Sequence, residues 1–284
     1  MSPLGDRYWR QKLLGVLGPE GQQRLEQASV LVIGCGALGS MQAQLLARAG
    51  VGRLRILDPD TLELSNLHRQ LLYDEKDLDE GAPKIHAAIH KLQKINSTVT
   101  LEGVVAAADA SNLGDYLQGM DLVLDGSDNM ETRYAINEAC VRRRVPWVYG
   151  GVHETTGMVL AVVPGEGPCF CCVNGPQPTR DTATSPAPQS KEGRRRDQRD
   201  PRSALDADGS APPPVQPKAG ILNTVPATVA SHQVSLAYRI LLGQGRKVAG
   251  RLLVMDLWEG GFHPMEVTRD EACPCCGSES GSPP

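Results

Sequence analysis

No run of about 18 apolar residues occurs in the 284-residue sequence, so no segment reads as a membrane-spanning helix. The opening stretch, MSPLGDRYWRQKLLG, carries charges where a secretory signal needs an apolar centre. A cytoplasmic protein is expected. Neither sign of charge dominates: Lys plus Arg number 29 and Asp plus Glu 33, a formal net charge of −4. With no long basic stripe, this argues against a general nucleic-acid binder. There is no internal repeat and no obvious Ser-His-Asp or Cys-His constellation. Cysteine is missing from the whole of 173–272.

Eight cysteines are present all the same, and six of them fall in two short clusters, Cys169/Cys171/Cys172 and Cys273/Cys275/Cys276. In a reducing compartment such clustering points first to metal and not to a disulfide framework. At roughly 150 residues per domain the length allows one large domain or two small ones. With 40% hydrophobic residues a substantial core is expected.

Residues 6–28 carry a helical, amphipathic pattern. ASVLVIG then reads as a short buried strand ended by glycine, GCGALGS as a loop, and MQAQLLARAG as a helix stopped at Gly50. RLRILD (53–58) is a second strand. A helix over 82–95, a strand-like TVTLEGVV, the strand DLVLDGSD (121–128) and the helix METRYAINEACVRRR follow. PWVYGGVHETTGMVLAVVPG suits two more strands. A further helix (PATVASHQVSLAYRILLG) and a strand at 251–257 close the pattern. Alternating strands and helices predict an α/β fold with a largely parallel sheet, its ligand beyond the carboxyl ends of the strands. Residues 174–217 interrupt it with nine of the 21 prolines and the charged run KEGRRRDQRDPR. That composition predicts a disordered insert.

Gly34-Cys35-Gly36-Ala37-Leu38-Gly39 follows a strand and opens a helix. Glycines there permit a tight turn and close backbone approach to phosphate, and the helix N-terminus offers free N–H groups and a positive dipole end. Asp58 ends the next strand, where a carboxylate can accept hydrogen bonds from ribose hydroxyls. Gly34, Gly36, Gly39 and Asp58 are therefore candidate nucleotide-binding residues. The motif does not separate NAD from ATP. Cys35 reads as a small residue that fits between glycines, and Cys140 as inert core.

The next segment runs Asp58-Pro-Asp-Thr-Leu-Glu-Leu-Ser65-Asn66-Leu67-His68-Arg69-Gln70, then Pro83-Lys84. With Arg7-Tyr8-Trp9-Arg10-Gln11 and Asp125-Gly-Ser-Asp128-Asn129, it resembles the ThiF/MoeB/HesA family, the bacterial relatives of ubiquitin-activating enzymes. The resemblance implies a Rossmann-like fold with helices on both faces of the sheet, in a single adenylating domain over 1–284 whose crossover loop carries the 174–217 insert. It also implies roles: Arg69 and Lys84 on phosphates, Asn66 in support, Asp128 on Mg²⁺, Asp58 on ribose. Arg10 would reach the neighbouring subunit's site in a homodimer. The residue types suit that chemistry, because nucleotidyl transfer needs cations and a metal to neutralise charge developing on the phosphates. Arg10, Arg69, Lys84 and Asp128 are thus the candidate catalytic residues.

The two cysteine clusters each contain C-x-x-C, a spacing that lets two thiolates grip one tetrahedral ion. Cys169, Cys172, Cys273 and Cys276 are the favoured ligands of a closed, structural Zn²⁺ that would tie the C-terminus to the body. The extra Cys171 and Cys275 leave the register open, and a redox dithiol or an iron–sulfur cluster are the alternatives to zinc. The family's activity implies an ATP-dependent adenylyltransferase acting on the C-terminal glycine of a small ubiquitin-like sulfur carrier ending in Gly-Gly. An ionised carboxylate needs no general base for that attack. Many relatives place a cysteine before an A-G-V-L segment, but here the matching Gln216-Pro217-Lys218-Ala219-Gly220-Ile221-Leu222 has none. A separate sulfur donor is therefore expected. An NAD-dependent oxidoreductase and a non-catalytic nucleotide-fold binding module are the competing readings.

Overall fold

Successive residues of the first strand serve different cores. Val30 and Val32 join one apolar cluster while Leu31 and Ile33 join another. A strand buried on both faces, with side chains alternating between them, is a central strand of a covered sheet. The computed structural model describes residues 6–78, 81–177 and 220–277. Residues 6–177 and 221–277 of these belong to one compact unit.

The sheet has eight strands: β1 (Ser29–Ile33), β2 (Arg53–Leu57), β3 (Thr100–Val104), β4 (Leu122–Asp125), β5 (Trp147–His153), β6 (Thr156–Val162), β7 (Arg251–Asp256) and β8 (Gly261–Glu266). Their spatial order is β3-β2-β1-β4-β5-β6-β7-β8. The first five in sequence run parallel. The last three join antiparallel. The expected α/β sheet is thus mixed, a parallel half continued by an antiparallel meander.

The helices are α1 (Trp9–Lys12), α2 (Gly18–Gln27), α3 (Gly39–Ala49), α4 (Lys84–Ile95), α5 (Leu113–Tyr116), α6 (Met130–Arg143), α7 (Phe170–Asn174) and α8 (Thr224–Arg239). Through Leu46 of α3, Leu92 of α4 and Val229 of α8 one face of the sheet is covered. Leu113 of α5, Ile136 of α6 and Phe170 of α7 cover the other. Each fully buried large apolar side chain contributes about 1.5–3 kcal/mol of transfer free energy, so these two stripes hold the helices to the sheet. Phe170 packs its ring within 5.0 Å of Tyr149 and 5.8 Å of Trp147, centre to centre, and brings α7 against β5.

Several boundaries differ from the sequence expectation. The helical pattern over 6–28 is two helices, because Gly18 takes φ +63 and Pro19 follows at the first turn of α2. A strand not expected, β8, pairs with β7 at the sheet edge with nearly all its side chains exposed. Asn174, the first residue of the expected insert, closes α7, and 178–217 lie outside the described residues. The described chain returns beside the β5–β6 turn, where Ile221 bridges Glu154 and Leu222 N–H donates to the Glu154 carbonyl at 3.1 Å. Among the described residues no helix is long and apolar enough to cross a membrane.

Candidate active site

The strand order reverses at β1, whose neighbours β2 and β4 lead away on opposite sides. The loops leaving the carboxyl ends of β1, β2 and β4 therefore meet, and such a switch point is where α/β sheets take ligands. The glycines are held there by contact with backbone. Gly34 has φ +86, and a Cβ on it would lie 2.5 Å from the Gly126 carbonyl oxygen in the loop after β4. A Cβ on Gly39 would overlap the Gly34 carbonyl oxygen. Gly36 differs. Its nearest neighbour to a Cβ would be Gln70 Nε2 at 3.7 Å, so nothing in the fold itself demands glycine there. That open cradle fits a group approaching from outside the protein, as a phosphate does.

Asp58 stands where the sequence placed it and is only 4% exposed. Its Oδ2 accepts from Cys35 N–H at 2.6 Å and its Oδ1 from Asp60 N–H at 2.8 Å. It thereby locks the glycine loop to the end of β2. Burial raises its pKa above the usual carboxylate value, against those two hydrogen bonds and the nearby Lys84 charge. A bridge between Thr61 and Pro83 brings the start of α4 to the same place. Lys84 N–H donates to the Asp60 carbonyl at 2.8 Å, and its Nζ pairs with the Asp60 carboxylate at 2.9 Å. The lysine side chain is 6% exposed and the aspartate 62%. The ammonium is thus sheltered beside the loop, and its charge is felt at both Asp58 and Cys35.

Between β2 and α4, the 3-10 turn Leu64–Asn66 is closed by Asn66 Oδ1 accepting from Glu63 N–H at 3.2 Å. Asn66 is buried and organises this turn. Arg69 Nη1 donates to the Ser65 carbonyl at 3.0 Å. Gln70, the next residue, reaches over Gly36, and Tyr73 Oη donates to the Cys35 carbonyl at 2.9 Å. This segment therefore roofs one side of the loop.

Across the switch point, β4 ends in Asp125, fully buried and paired with Arg133 Nε at 3.2 Å. Arg133 Nη2 also donates to the Ser127 and Gly150 carbonyls at 3.0 and 3.2 Å. Its guanidinium lies 5.2 Å from the Tyr149 ring centre. No motif in the sequence marks Arg133, which gains its partners only when α6 packs back on the ends of β4 and β5. Asn129 caps α6 by accepting from Thr132 N–H at 2.8 Å, which leaves Asp128 without that structural duty. Asp128 is exposed and accepts a 3.4 Å bond from the Asn129 amide.

Arg10 is placed elsewhere. It lies exposed on α1, which packs at the far end of α3: Gln11 Nε2 donates to the Ala49 carbonyl at 3.2 Å, and Tyr8 Oη accepts from Asn96 at 2.8 Å. Eleven helical residues separate that end from the glycine loop, about 16 Å at 1.5 Å per residue. Arg10 does not join the other candidates within its own chain.

The cysteine clusters do converge. The Sγ atoms of Cys169, Cys172, Cys273 and Cys276 all lie within 4.8 Å of one another. Three separations are 3.9, 3.6 and 3.4 Å, for Cys169–Cys172, Cys169–Cys273 and Cys172–Cys276. A tetrahedral ion with metal–sulfur bonds of about 2.3 Å sets sulfurs about 3.8 Å apart, so the four fit one metal ion. The set joins α7 to the C-terminal turn.

A family model described as "ThiF family" matches residues 8–275. The sulfur carrier protein adenylyltransferase of Thermus thermophilus is 38% identical over 279 residues, covering 96% of this chain and 91% of the relative. The SAMP-activating enzyme E1 of Haloferax volcanii is 33% identical, with 96% and 88% covered. The sulfur carrier protein ThiS adenylyltransferase of Bacillus subtilis is 33% identical, with 96% and 72% covered. Among solved structures, Escherichia coli MccB superposes with a TM-score of 0.76 at 20% identity, over 96% of this chain and 73% of that one, a likeness of fold. Motif, topology and relatives converge: the chain belongs to the ThiF family, adenylating enzymes that activate ubiquitin-like carriers.

Proposed function

We propose that this chain uses ATP to adenylate the C-terminal glycine of a small ubiquitin-like sulfur carrier. The observation that carries this reading is the sheltered Lys84–Asp60 pair beside the Asp58-locked glycine loop, with an exposed carboxylate, Asp128, in the loop that touches Gly34 through Gly126. A nucleotide cleft needs the loop; dinucleotide binding alone needs neither the lysine nor the acid.

The carrier's terminal carboxylate oxygen attacks the α-phosphorus of ATP. The bond from that phosphorus to the bridging oxygen breaks, pyrophosphate leaves, and an acyl-adenylate remains. A terminal carboxyl group ionises near pH 3.3–3.7, so it arrives as a nucleophile and no base is needed. Asp58 accepts from ribose, keeping lone pairs free beyond its two backbone bonds. Gly34, Gly36 and Gly39 let the loop approach the phosphates, and Lys84 exchanges Asp60 for a phosphate oxygen. Arg69, positioned by Asn66 and Ser65, neutralises the departing pyrophosphate. Asp128 offers the hard oxygen that suits Mg²⁺, and the bound ion would supply charge neutralisation on the phosphates. Arg10 completes the site of the partner subunit in a homodimer. Its place at the far end of α3 supports action in trans, since its own cleft is out of reach. Cys169, Cys172, Cys273 and Cys276 hold a structural Zn²⁺, and four thiolates leave it no open position for catalysis. With no cysteine in 173–272, sulfur comes from a separate donor after adenylation.

The test is isotope exchange between pyrophosphate and ATP with a Gly-Gly-ending carrier from the same genome. Exchange is expected only with carrier and Mg²⁺ together. Arg69→Ala and Asp128→Ala should each lower it at least ~100-fold, about 2.7 kcal/mol of transition-state stabilisation, with folding retained. Tight NAD binding without ATP binding, or wild-type exchange in both variants, overturns the reading.

A further inference from the structure

The two cysteine turns have the same pattern, Cys169-Phe-Cys171-Cys172 and Cys273-Pro-Cys275-Cys276. The metal-fitting set takes the first and fourth position of each. The third position of each is then spare, and the fold brings these two spare residues together. Cys171, Cys275 and Cys169 have Sγ atoms within 4.8 Å of one another. Both spare residues are partly exposed, unlike Cys35 and Cys140, which are buried.

Asn137 of α6, only 1% exposed, fixes the arrangement. Its Oδ1 accepts from Phe170 N–H at 3.0 Å, which sets the amide's orientation. Its Nδ2 then points at the sulfurs, 3.1 Å from Cys275, 3.4 Å from Cys171 and 3.6 Å from Cys169. A buried amide spending its donors on two spare thiols is a built feature, because such a group needs partners. A second metal ion is the rival occupant, and it is short of ligands. It would have to share Cys169, and the Asn137 oxygen is already taken, so three sulfurs stand without a fourth group among the described residues.

We propose that Cys171 and Cys275 form an oxidisable dithiol, a modification site separate from the metal-fitting tetrad. Oxidation joins the two sulfurs in a disulfide. The thiols give up two protons and two electrons to a peroxide, whose O–O bond breaks to yield water and, from hydrogen peroxide, a second water. The bond ties α7 to the C-terminal turn, a link across 104 residues of sequence, beside the one the metal ion provides. Its consequence is a C-terminus that stays attached when the metal is removed.

The experiment treats the full-length, metal-loaded protein with hydrogen peroxide, blocks remaining thiols, and maps disulfides by peptide mass spectrometry, with zinc content measured alongside. The expected product is a Cys171–Cys275 bond with zinc unchanged at one ion per chain. The oxidised protein should keep its melting temperature in EDTA, while the reduced protein loses several degrees. Cys171→Ser and Cys275→Ser should each remove the bond and the EDTA resistance but not the zinc. Mapping on the wild-type chain does not depend on either variant folding. Oxidation that pairs a tetrad cysteine and expels zinc overturns the proposal. So does a content of two zinc ions that falls to one in Cys171→Ser, and so do spare thiols left free after oxidation.

Discussion

Cys35 shows how much a residue's surroundings outweigh its type. It sits inside the glycine loop proposed to take the phosphates, yet burial pushes its thiol from an ordinary value of 9.0 up to about 12. It is therefore a protonated, inert core thiol at neutral pH. The unfolded chain releases this proton above pH 9 and the folded one holds it until about 12, so the folded state binds more protons in between. Stability supplied by this site is then complete below pH 9 and is lost as pH rises, at up to about 1.4 kcal/mol per unit. Urea midpoints measured from pH 8 to pH 11 should fall more steeply for wild type than for Cys35→Ala; parallel slopes would refute the assignment. The sequence already marked Cys35 as a filler and Asp58 as an acid at a strand end. Asp60 as the partner of Lys84 was not legible, because the pair depends on the Thr61–Pro83 bridge across twenty-one intervening residues. Asn137 and Arg133 escaped for the same reason: both sit mid-helix in the sequence, and only the packing of α6 against β5 and α7 gives them partners.

At the scale of the element, the β1–loop–α3 unit separates what the fold requires from what the ligand requires. Gly39 is fixed by the Gly34 carbonyl against it, and Gly36 has room. Gly39→Ala should cost at least about 1–3 kcal/mol through backbone collision. Gly36→Ala should stay within about 0.5 kcal/mol of wild type while losing ATP affinity. Thermal melts paired with nucleotide titration read both. Equal destabilisation of the two variants would contradict this division. The central elements were readable because strands buried on both faces leave unbroken apolar runs, and Gly50, at φ +79, marks the end of α3 as expected. The edge element β8 was not. Its residues Gly261-Phe-His-Pro-Met-Glu carry no alternation of burial, since the strand pairs with β7 at the sheet edge and its side chains stand in solvent. Likewise the split between α1 and α2 turns on Gly18 at φ +63, a backbone choice that amphipathic spacing does not reveal.

At the scale of the whole molecule, the position of Arg10 makes the strongest demand. An arginine that serves the cleft from the far end of α3 must serve another chain's cleft. Mixing Arg10→Ala with Asp128→Ala chains should restore up to about one quarter of wild-type exchange. Half of the pairs are then mixed, and each mixed pair has one site with both groups. Strict additivity of two inactive proteins would refute the assignment of Arg10 to the partner's cleft. The overall α/β architecture and the family motifs were legible along the chain; the two-ended layout was not, because sequence order says nothing about which end of a helix a preceding segment will pack against.

The chain leaves α7 at Asn174 and reaches the β5–β6 turn again at Ile221, and each point has its own anchor: Asn174 Nδ2 to the Phe170 carbonyl at 3.2 Å, Ile221 beside Glu154. The partners of both anchors, Phe170 and Glu154, precede the interval. Since loop-closure cost grows by only about 0.6 kcal/mol per doubling of length, this interval is a splice point. Foreign peptide, a reporter tag or a shorter span exchanged there should leave the strand registers on either side as they are.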